Sequence, residues 1–370
     1  MFCILQFNLE MERNKNLGHW LAEMNLGYPL TISGPCSAES KEQVLKIAHE
    51  LKNTKTTVFR AGVWKPRTRP GSFEGVGAIA LPWLQQVKKE TGLLLAIEVA
   101  NAKHVKLALE HDIDILWIGA RTTVNPFIVQ EIADSLENTD KIVLVKNPIN
   151  PDLELWVGGV ERLHKAGIKN LGVIHRGFSS YNKSVYRNEP QWQIPIDFKT
   201  RFPSIPMICD PSHICGRRDC IEKVAQTAYD LQYDGLMIET HHSPDLALSD
   251  AQQQLTPEVF RSILGRLRVR SKTFEDEESL DTLALLRSEI NQTDKLLLQT
   301  LSKRMEIVKL IAQVKKEKNV AVLQTKRWKE VIEKMSKYAN AAGLDVAFVN
   351  RLFREVHQES IRHQEKIVNK

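Results

Sequence analysis

Four cationic side chains lie close together in a short stretch of the sequence that also contains prolines and glycines. The cations run from Arg60 to Arg69, and the prolines and glycines around them prevent this stretch from forming one helix. The apolar run at residues 56–59 is typical of a buried strand. A rigid, cationic loop at the end of a strand is suited to hold an anion, with phosphate as the first candidate. The alternative is a basic loop that only faces solvent.

A second group of side chains has the composition of a metal site. Its members, which follow predicted strands, are Cys36, His213, Glu239 and Asp250. One thiolate, one imidazole and two carboxylates suit one borderline divalent ion such as Mn, Fe, Co or Zn, with manganese preferred, and do not suit Ca or Mg. Taken singly, Cys36 is better explained as a small buried residue and His213 as a loop residue. Cys209, Cys215 and Cys220 are competing thiols nearby.

Further cations follow other predicted strands. Together with the loop they form the set Arg60, Lys65, Arg67, Arg121, Lys146 and Arg176. Cations that converge on one site repel one another unless an anion lies between them. A ligand that carries both a phosphate and a carboxylate group fits such a set.

These residues follow short apolar, β-branched runs that recur through the first part of the chain. The predicted strands are residues 30–33, 57–60, 93–98, 114–119, 141–146, 171–175, 206–210 and 235–239. Amphipathic helices are predicted between most of them, and the connection at 175–206 has the weakest helical pattern. This α/β rhythm predicts a (β/α)8 TIM barrel, with an open doubly wound sheet as the alternative. In a closed barrel strand eight lies beside strand one, which brings Cys36 close to Glu239.

The use of proline and glycine changes sharply along the chain. All 15 prolines lie at or before Pro257, and of the 18 glycines only Gly265 and Gly343 lie after residue 235. We therefore predict an N-terminal extension at 1–28, the barrel at 29–267, a linker at 268–279 and an all-α domain of three helices at 280–370. A first helix of about 39 residues is about 58 Å long and cannot bury its apolar face against two shorter helices. We therefore expect a homodimer through this domain, or a larger assembly.

The bulk composition limits the classes of function. The net charge of +6 over 370 residues comes without a polybasic tail, so we expect no nucleic-acid partner. The sequence contains no run of 18 apolar residues and its first segment does not resemble a signal peptide, so we expect no membrane partner. Five cysteines without framework spacing indicate reduced thiols and a cytoplasmic location.

Five motifs carry a resemblance to a known family. They are Gly34-Pro35-Cys36-Ser37, Lys65-Pro66-Arg67-Thr68, Gly119-Ala120-Arg121, Asp210-Pro211-Ser212-His213 and Asp250-Ala251-Gln252-Gln253. Over residues 29–267 the chain resembles the type I-beta 3-deoxy-D-arabino-heptulosonate 7-phosphate (DAHP) synthases. That family condenses phosphoenolpyruvate with erythrose 4-phosphate at a divalent metal ion in a (β/α)8 barrel. The related 8-phosphate octulosonate synthases are the alternative, and the loop at residues 65–68 argues against them.

The resemblance implies a role for each site residue. Phosphoenolpyruvate would be held by Arg60, Lys65, Arg121, Lys146 and Arg176, erythrose 4-phosphate by Pro66, Arg67 and Thr68, and the metal by Cys36, His213, Glu239 and Asp250. Lys65 would lie between the two anions and supply a proton, while the metal polarises the aldehyde oxygen. The chain departs from the family at residues 147–148, at His175 and at 240–244, where His241 and His242 are further candidate contacts of the metal or the product phosphate.

The helical domain has a polar pattern of its own. Arg304 and Lys315 are 11 residues apart, which places them on one helix face, about 16 Å from each other. Arg287 lies too far along the same helix to reach a shared ligand unless a partner copy supplies it. Ser360 and Gln364 share a face of the third helix. The alternative is a solvated coiled-coil face.

The spacing of these residues resembles that of the all-helical chorismate mutases over residues 280–370. The resemblance implies an interlocked dimer that binds chorismate or prephenate through Arg287, Arg304, Lys315, Gln324, Arg327, Ser360 and Gln364. Lys315 and Gln364 would donate hydrogen bonds to the breaking ether oxygen, and Gln324 replaces an Asp of some relatives. The chain is thus predicted to be a bifunctional shikimate-pathway enzyme whose mutase domain also mediates feedback inhibition by chorismate or prephenate. In the alternative, the helical domain only senses a ligand or dimerises.

Overall fold

A computed structural model gives the structure of residues 19–24, 26–66, 71–181, 184–271, 273–274 and 276–369. The chain divides into two compact units, Met1–Lys272 and Thr273–Lys370. Among the helices of these residues, none is both long and apolar enough to cross a membrane.

Parallel strands in the described part of the first unit close into an eight-stranded barrel. Their bounds are β1 (Leu30–Gly34), β2 (Val58–Arg60), β3 (Leu94–Val99), β4 (Ile115–Ile118), β5 (Ile142–Lys146), β6 (Leu171–His175), β7 (Met207–Cys209) and β8 (Gly235–Glu239). Each strand pairs with the next along the chain, and β8 pairs with β1. The predicted strands agree with these bounds to within one residue. The TIM barrel is therefore confirmed, and the open doubly wound sheet is wrong.

Helices follow the strands along the chain of the first unit. In chain order they are α1 (Trp20–Glu23), α2 (Lys41–Lys52), α3 (Leu81–Thr91), α4 (Ala102–Glu110), α5 (Ala120–Thr123), α6 (Pro126–Ser135), α7 (Leu153–Lys165), α8 (Gln193–Arg201), α9 (Pro211–Cys215), α10 (Ile221–Asp230) and α11 (Pro257–Arg266). Short polar side chains fix several helix starts, because Ser40, Asp152 and Thr256 each accept a hydrogen bond from a backbone N–H of the first turn. The connection with the weakest predicted pattern does contain a helix, α8.

Apolar side chains fill the barrel interior and leave polar groups to one rim. The interior cluster includes Ile32, Val58, Ile115 and Met237. Trp20 belongs to the same cluster, and its Nε1 donates a hydrogen bond to the carbonyl of Leu171 at 2.9 Å, where β6 begins. Trp20 therefore closes the amino-terminal end of the barrel. The chemistry is left to the opposite rim, where the strands end.

The second unit consists of long helices. They are α12 (Glu277–Glu317), α13 (Thr325–Ala341) and α14 (Val346–Val368), and α14 packs on both of the others. Helix α12 begins three residues before its predicted start because the side chain of Asp276 accepts a hydrogen bond from the N–H of Ser279. The apolar side chains of its first half lie at the surface of the unit, with Leu285 63% and Leu298 67% exposed.

Two candidate active sites

The structure brings the predicted metal ligands together at the carboxyl ends of the strands. Ligand atoms of Cys36, Glu239 and Asp250 all lie within 4.8 Å of one another. His213 lies beside them, with Nε2 3.7 Å from Glu239 Oε1. The pairing of β8 with β1 aligns Glu239 with Gly34 and produces this closeness. These four potential ligands are called the metal cluster below.

The donor atoms of the metal cluster fit a divalent ion. Glu239 is fully buried, and its Oε2 accepts a hydrogen bond from Gln253 Nε2 at 2.7 Å, whereas Oε1 accepts none. The nearby Arg60 Nη2 lies 3.2 Å from Oε1 without completing a hydrogen bond. A buried carboxylate oxygen without a donor is costly unless a cation compensates it. Of the competing thiols, Cys209 and Cys215 pack in the apolar core.

Lys65 contacts the thiol of the metal cluster. Its Nζ donates hydrogen bonds to Cys36 Sγ at 2.7 Å and to the carbonyl of Cys36 at 3.0 Å. Burial raises the pKa of the Cys36 thiol to about 12, and the charge of Glu239 adds to the effect. Burial by itself lowers the pKa of Lys65, but the neighbouring Cys36 sulfur and the carboxylate of Glu239 oppose it, and the net pKa is raised. Lys65 is therefore a proton-bearing cation directly beside the ligands.

Arg60 and Lys146 lie over the ring of Trp117. The ring centroid is 4.9 Å from Arg60 Cζ and 5.6 Å from Lys146 Nζ, both within cation–π distance. A hydrogen bond of 2.9 Å from Trp117 Nε1 to Glu98 Oε2 orients the ring. Arg60 is 1% exposed, and its Nε and Nη1 have no partner. These buried donors are held ready for an anion.

The other predicted cations surround the same rim. Lys146 Nζ donates a hydrogen bond to the buried carboxylate of Asp210 at 2.8 Å. Arg176 is buried directly after β6, and burial lowers its pKa to about 10. Arg121 lies in α5, directly after β4, and is exposed. Every one of these cations follows or ends a strand, as the sequence predicted.

The loop predicted to bind erythrose 4-phosphate is described in part. Pro66 is partly buried, whereas Arg67 and Thr68 lie outside the described residues. At the base of the loop the backbone N–H of Lys65 donates a hydrogen bond to the carbonyl of Glu74 at 2.8 Å. The two ends of the loop are therefore held together beside the metal cluster.

Sequence reasoning did not identify two residues that contact the metal cluster. Arg187 Nη1 donates hydrogen bonds to Asp250 Oδ1 at 3.0 Å and to Gln253 Oε1 at 2.8 Å. Gln253 belongs to a motif noted in the sequence but was given no role. Arg187 lies in the connection between β6 and α8, where no periodicity marks it.

The histidines at the positions where the chain departs from the family pattern make other contacts. His175 is buried and bonded on both nitrogens, with Nε2 2.7 Å from the carbonyl of Pro190 and Nδ1 2.9 Å from the hydroxyl of Tyr233. Burial lowers the pKa of His175 to about 3. His241 and His242 stack on each other with ring centroids 4.6 Å apart. As far as the structure describes the chain, none of the three joins the group of close ligand atoms.

In the helical unit, several predicted residues approach one another. Arg304 Nη1 donates a hydrogen bond to Ser360 Oγ at 2.6 Å. Gln364, one turn further along α14, is 8% exposed, and its Oε1 has no partner. Lys315 Nζ donates a hydrogen bond to the carbonyl of Val322 at 2.6 Å. Two cations and two buried polar side chains are thus available to a small anion.

Two aromatic residues that sequence reasoning missed adjoin this set. The rings of Trp328 and His357 stack with centroids 4.1 Å apart. Burial lowers the pKa of His357, and the positive charges of Arg304 and Lys315 lower it further, so both cations lie near this ring. The signal for His357 was its spacing, because it precedes Ser360 by three residues and so shares its helix face.

The remaining predicted residues stay at the surface of the helical unit. Arg287, Gln324 and Arg327 are all exposed, and Arg327 Nη1 pairs with Glu330 Oε2 at 3.1 Å. Arg287 precedes Arg304 by about 25 Å along the same helix, at 1.5 Å per residue. Within one chain these residues do not enclose a ligand.

Comparisons with known proteins match a family to each of the two units. The model of the DAHP synthetase I family matches residues 26–273, and that of chorismate mutase type II matches residues 286–365. A phospho-2-dehydro-3-deoxyheptonate aldolase of Thermotoga maritima is 29% identical over 242 residues, which cover 65% of this chain and 70% of the relative. A 2-dehydro-3-deoxyphosphooctonate aldolase of Desulfatibacillum aliphaticivorans is 29% identical over 277 residues, which cover 66% and 93%. A crystal structure of the Thermotoga maritima DAHP synthase has a TM-score of 0.59 at 29% identity, over 64% of this chain and 67% of that one.

The family of the chain follows from these matches. The first family model covers more than half of the chain and coincides with the closed barrel. The second falls on the three helices of the second unit. The chain belongs to the DAHP synthetase I family and carries a chorismate mutase type II domain after its barrel, so that it joins two enzyme activities of the shikimate pathway.

Proposed function

We propose that the barrel condenses phosphoenolpyruvate with erythrose 4-phosphate to DAHP and inorganic phosphate, at one bound divalent ion. The observation that carries this proposal is the metal cluster next to the partnerless N–H groups of Arg60. A cation site and an anion site thus adjoin each other. An aldehyde that must be polarised and an anionic enol that must attack it require such an arrangement.

In this proposal each polar residue of the rim has a defined task, and Lys65 has two. Phosphoenolpyruvate is bound by Arg60, Lys65, Arg121, Lys146 and Arg176, and erythrose 4-phosphate by Pro66, Arg67 and Thr68. Cys36, His213, Glu239 and Asp250 would hold the metal, which would supply a Lewis acid for the aldehyde oxygen. Lys65 donates a proton to that oxygen, because it is charged and lies 2.7 Å from Cys36 Sγ, beside the ligands.

Metal removal tests this assignment on the intact protein. A chelator should abolish phosphoenolpyruvate consumption, and Mn²⁺ should restore it better than Fe²⁺, Co²⁺ or Zn²⁺. Chorismate consumption, measured in the same samples, should not change. Full phosphoenolpyruvate consumption in metal-free protein would overturn the proposal.

A separate question is which sugar phosphate the barrel uses as its second substrate. The octonate aldolases that this chain resembles are 27–29% identical to it, close to the 29% of the heptonate aldolase. We favour the four-carbon sugar because the loop Lys65-Pro66-Arg67-Thr68 has the residues of the DAHP synthases. The enzyme should consume phosphoenolpyruvate with erythrose 4-phosphate and not with arabinose 5-phosphate. The reverse preference would assign the barrel to octulosonate synthesis.

We propose that the helical unit converts chorismate to prephenate. This rearrangement needs no proton donor, but it needs the substrate held in its folded conformer with both carboxylates clamped. Arg304 and Arg327 supply clamping charge, Ser360 holds Arg304, and Gln324 contacts the substrate hydroxyl. Lys315 and Gln364 donate hydrogen bonds to the ether oxygen as its bond breaks. Gln364 Nε2, which donates to the carbonyl of Ser360 at 3.3 Å in the free protein, would turn to the ether oxygen when the substrate binds.

We propose that the helical units of two chains form a homodimer. Exposed leucines run along α12, and a second copy is the partner that would bury them. The same arrangement would bring Arg287 of one copy to the site of the other. Sedimentation of the intact protein should therefore show twice the mass of the chain, and a monomer at micromolar concentration would contradict the proposal.

We further propose that the mutase site is the feedback sensor of the barrel. Chorismate or prephenate bound there would lower phosphoenolpyruvate consumption. The test adds prephenate to the wild type and to Arg304→Ala, in which the mutase site should bind it weakly. Inhibition of both proteins to the same degree, or of neither, would refute a sensor at this site. A helical unit that binds prephenate without converting chorismate would support the sensing module instead of the enzyme.

A further inference from the structure

A series of hydrogen bonds through Arg187 and Gln253 links the two carboxylates of the metal cluster. Arg187 Nη1 bonds both Asp250 Oδ1, at 3.0 Å, and Gln253 Oε1, at 2.8 Å. The same amide of Gln253 also donates a hydrogen bond from Nε2 to Glu239 Oε2 at 2.7 Å. One guanidinium and one amide therefore join Asp250 to Glu239.

Each carboxylate is left with one oxygen for other contacts. Asp250 Oδ1 accepts from Arg187, while Oδ2 faces Cys36 Sγ at 3.2 Å. Glu239 Oε2 accepts from Gln253, while Oε1 has no donor and lies 3.7 Å from His213 Nε2. Oδ2 and Oε1 therefore lie close to other members of the metal cluster, whereas Oδ1 and Oε2 are bonded to residues outside it. The hydrogen bonds thus select which oxygen of each carboxylate is offered to an ion.

The backbone conformation brings the hydrogen-bonded residues Asp250 and Gln253 together. Asp250 has a left-handed φ of 48°, and a short 3₁₀ turn follows at Ala251–Gln253. Within it the N–H of Gln253 donates to the carbonyl of Asp250 at 3.1 Å, which sets the two side chains beside each other. Asp tolerates the left-handed region better than most residues, and such a conformation persists where its surroundings hold it.

The segment that contains Arg187 is hydrogen-bonded to the helix that carries His213. The backbone N–H of Arg187 donates to the carbonyl of Cys215 at 3.2 Å, and the side chain of Asn188 donates to the carbonyl of His213 at 2.6 Å. Gly216 makes room for it, because a Cβ there would lie 2.5 Å from Arg187 Cβ. The segment around Arg187 therefore contacts the elements that carry two of the four ligands, His213 and Asp250.

We propose that Arg187 and Gln253 are positioning residues that present one oxygen each of Asp250 and Glu239 to the metal, and so set its affinity and the geometry of its site. The inference rests on the metal site proposed above. Partners behind the ligands orient them and tune the ion, and their removal typically costs about 10- to 100-fold in metal affinity. Because Arg187 and Gln253 act through the metal ligands, replacing either residue should first of all change the metal affinity.

The experiment measures Mn²⁺ binding to the metal-free, full-length protein by the electron paramagnetic resonance signal of the free ion. Arg187→Met and Gln253→Leu should each weaken binding by about 10- to 100-fold. Arg187→Lys, which keeps the charge but not the fork of donors, should recover part of the loss. The matched control is Arg218→Met, because Arg218 holds the same loop only through the carbonyls of Ala251 and Gln254, at 2.8 Å each, and through Asp245. Its Mn²⁺ affinity should stay within about threefold of the wild type, since it contacts no ligand side chain.

A second measurement separates positioning from general loosening of the loop. Co²⁺ bound to the wild type should show thiolate charge-transfer and d–d absorption bands, and these should shift in Arg187→Met and Gln253→Leu but not in Arg218→Met. Chorismate consumption and thermal unfolding of each variant confirm that the protein is folded.

The outcomes distinguish this inference from the metal site on which it rests. Wild-type affinity and an unshifted Co²⁺ spectrum in both variants would overturn the positioning role. An equal loss in Arg218→Met would overturn it too, because loop order alone would then explain the result. If the wild type binds no Mn²⁺, or binds it equally after Cys36→Ala, the metal site itself is wrong.

Discussion

The candidate site of the barrel and that of the helical unit differ in how much of each is assembled within one chain. In the barrel, buried groups of opposite charge already lie together: Lys146 Nζ is 2.8 Å from Asp210 Oδ2, and Arg60 Nη2 is 3.2 Å from Glu239 Oε1. In the helical unit, Arg304 reaches Ser360, but the other arginines remain exposed. A barrel closes on itself and converges its strand ends on one rim, whereas three helices leave a site open.

The apolar surfaces of the two units differ in the same way. The barrel buries large side chains on both sides of its sheet, among them Trp117 and Trp156. Along α12 the described residues that are buried are Val308 and Ala312, and the leucines of its first half lie at the surface. Burial of one leucine contributes about 1.5–3 kcal/mol, so this surface favours a partner. We therefore expect the barrel site to depend on one chain and the helical site to depend on two.

Removal of one ligand should separate the two sites most sharply. Cys36→Ala deprives the metal cluster of its thiolate, and loss of the ion forfeits several kcal/mol of transition-state stabilisation, which is a rate loss of roughly 10³-fold. Chorismate consumption should stay at the wild-type rate. Both rates are measured on the same intact protein, by the absorbance of phosphoenolpyruvate and of chorismate. A variant that retains most of its synthase activity would show that Cys36 is only a small buried residue.

The reciprocal change addresses the helical site. Arg304→Ala removes a half-buried guanidinium that donates to Ser360 Oγ at 2.6 Å. Truncation of such a charged contact costs about 2–5 kcal/mol of binding, so the mutase rate should fall at least roughly 30-fold, and about 100-fold at 2.7 kcal/mol. Phosphoenolpyruvate consumption without effectors should be unchanged. Equal losses of both activities would mean that the variant is misfolded or that the two sites are not separate.

Much of the barrel was predictable because its pattern is local and repeated. Several strands are apolar runs whose last or next-to-last residue is charged, so Glu98, Lys146 and Glu239 indicate both the strand and the rim. Arg187 was not predictable, because its place depends on a backbone hydrogen bond to Cys215 from a segment without periodicity. The need for glycine at Gly119 could not be predicted either, because it arises from the close approach of Glu98 on the neighbouring strand.

The helical site was predictable to a different degree. Helix periodicity fixes Arg304 and Lys315 on one face from their spacing alone. The ring of Trp328 against His357 was missed, because a stack between two helices depends on how they pack. Exposed Arg287 cannot be placed from one chain by sequence or by structure, since its proposed ligand lies on another copy.

Mixing two inactive variants tests the difference between one-chain and two-chain sites. Arg287→Ala and Arg304→Ala should both retain only a few per cent or less of the wild-type mutase activity, roughly as for a loss of 30-fold or more. After unfolding and refolding together, half of the dimers are mixed, and each mixed dimer has one complete site, so roughly a quarter of the wild-type activity should return. Chorismate consumption before and after mixing measures the recovery.

The same experiment on the barrel is the control. Cys36→Ala and Glu239→Gln should give no recovery of synthase activity when mixed, because both ligands of each metal cluster come from one chain. Recovery in the barrel would contradict a one-chain site. No recovery in the helical unit would contradict the crossing of Arg287.

The smallest predicted effect comes from Gly119, which lies next to the carboxylate that orients Trp117 in the barrel site. A Cβ at Gly119 would lie 2.1 Å from Glu98 Oε1, so Gly119→Ala must displace the carboxylate that holds Trp117 Nε1 at 2.9 Å. Overpacking of this kind costs about 1–3 kcal/mol, and a shift of the Trp117 ring moves the surface on which Arg60 lies. We expect KM for phosphoenolpyruvate to rise roughly tenfold, which is the lower part of that range.

The matched control for this change is another glycine of the barrel. Gly158 lies within α7, where an added Cβ meets nothing within 4 Å. Gly158→Ala should leave KM unchanged and should stabilise the protein by up to about 1 kcal/mol, because alanine favours a helix more than glycine does. An equal rise of KM in both variants would mean that the barrel site responds to any added volume. A rise confined to Gly119→Ala shows that a strand-end glycine, two positions away from Trp117, keeps the anion site in place without touching the anion.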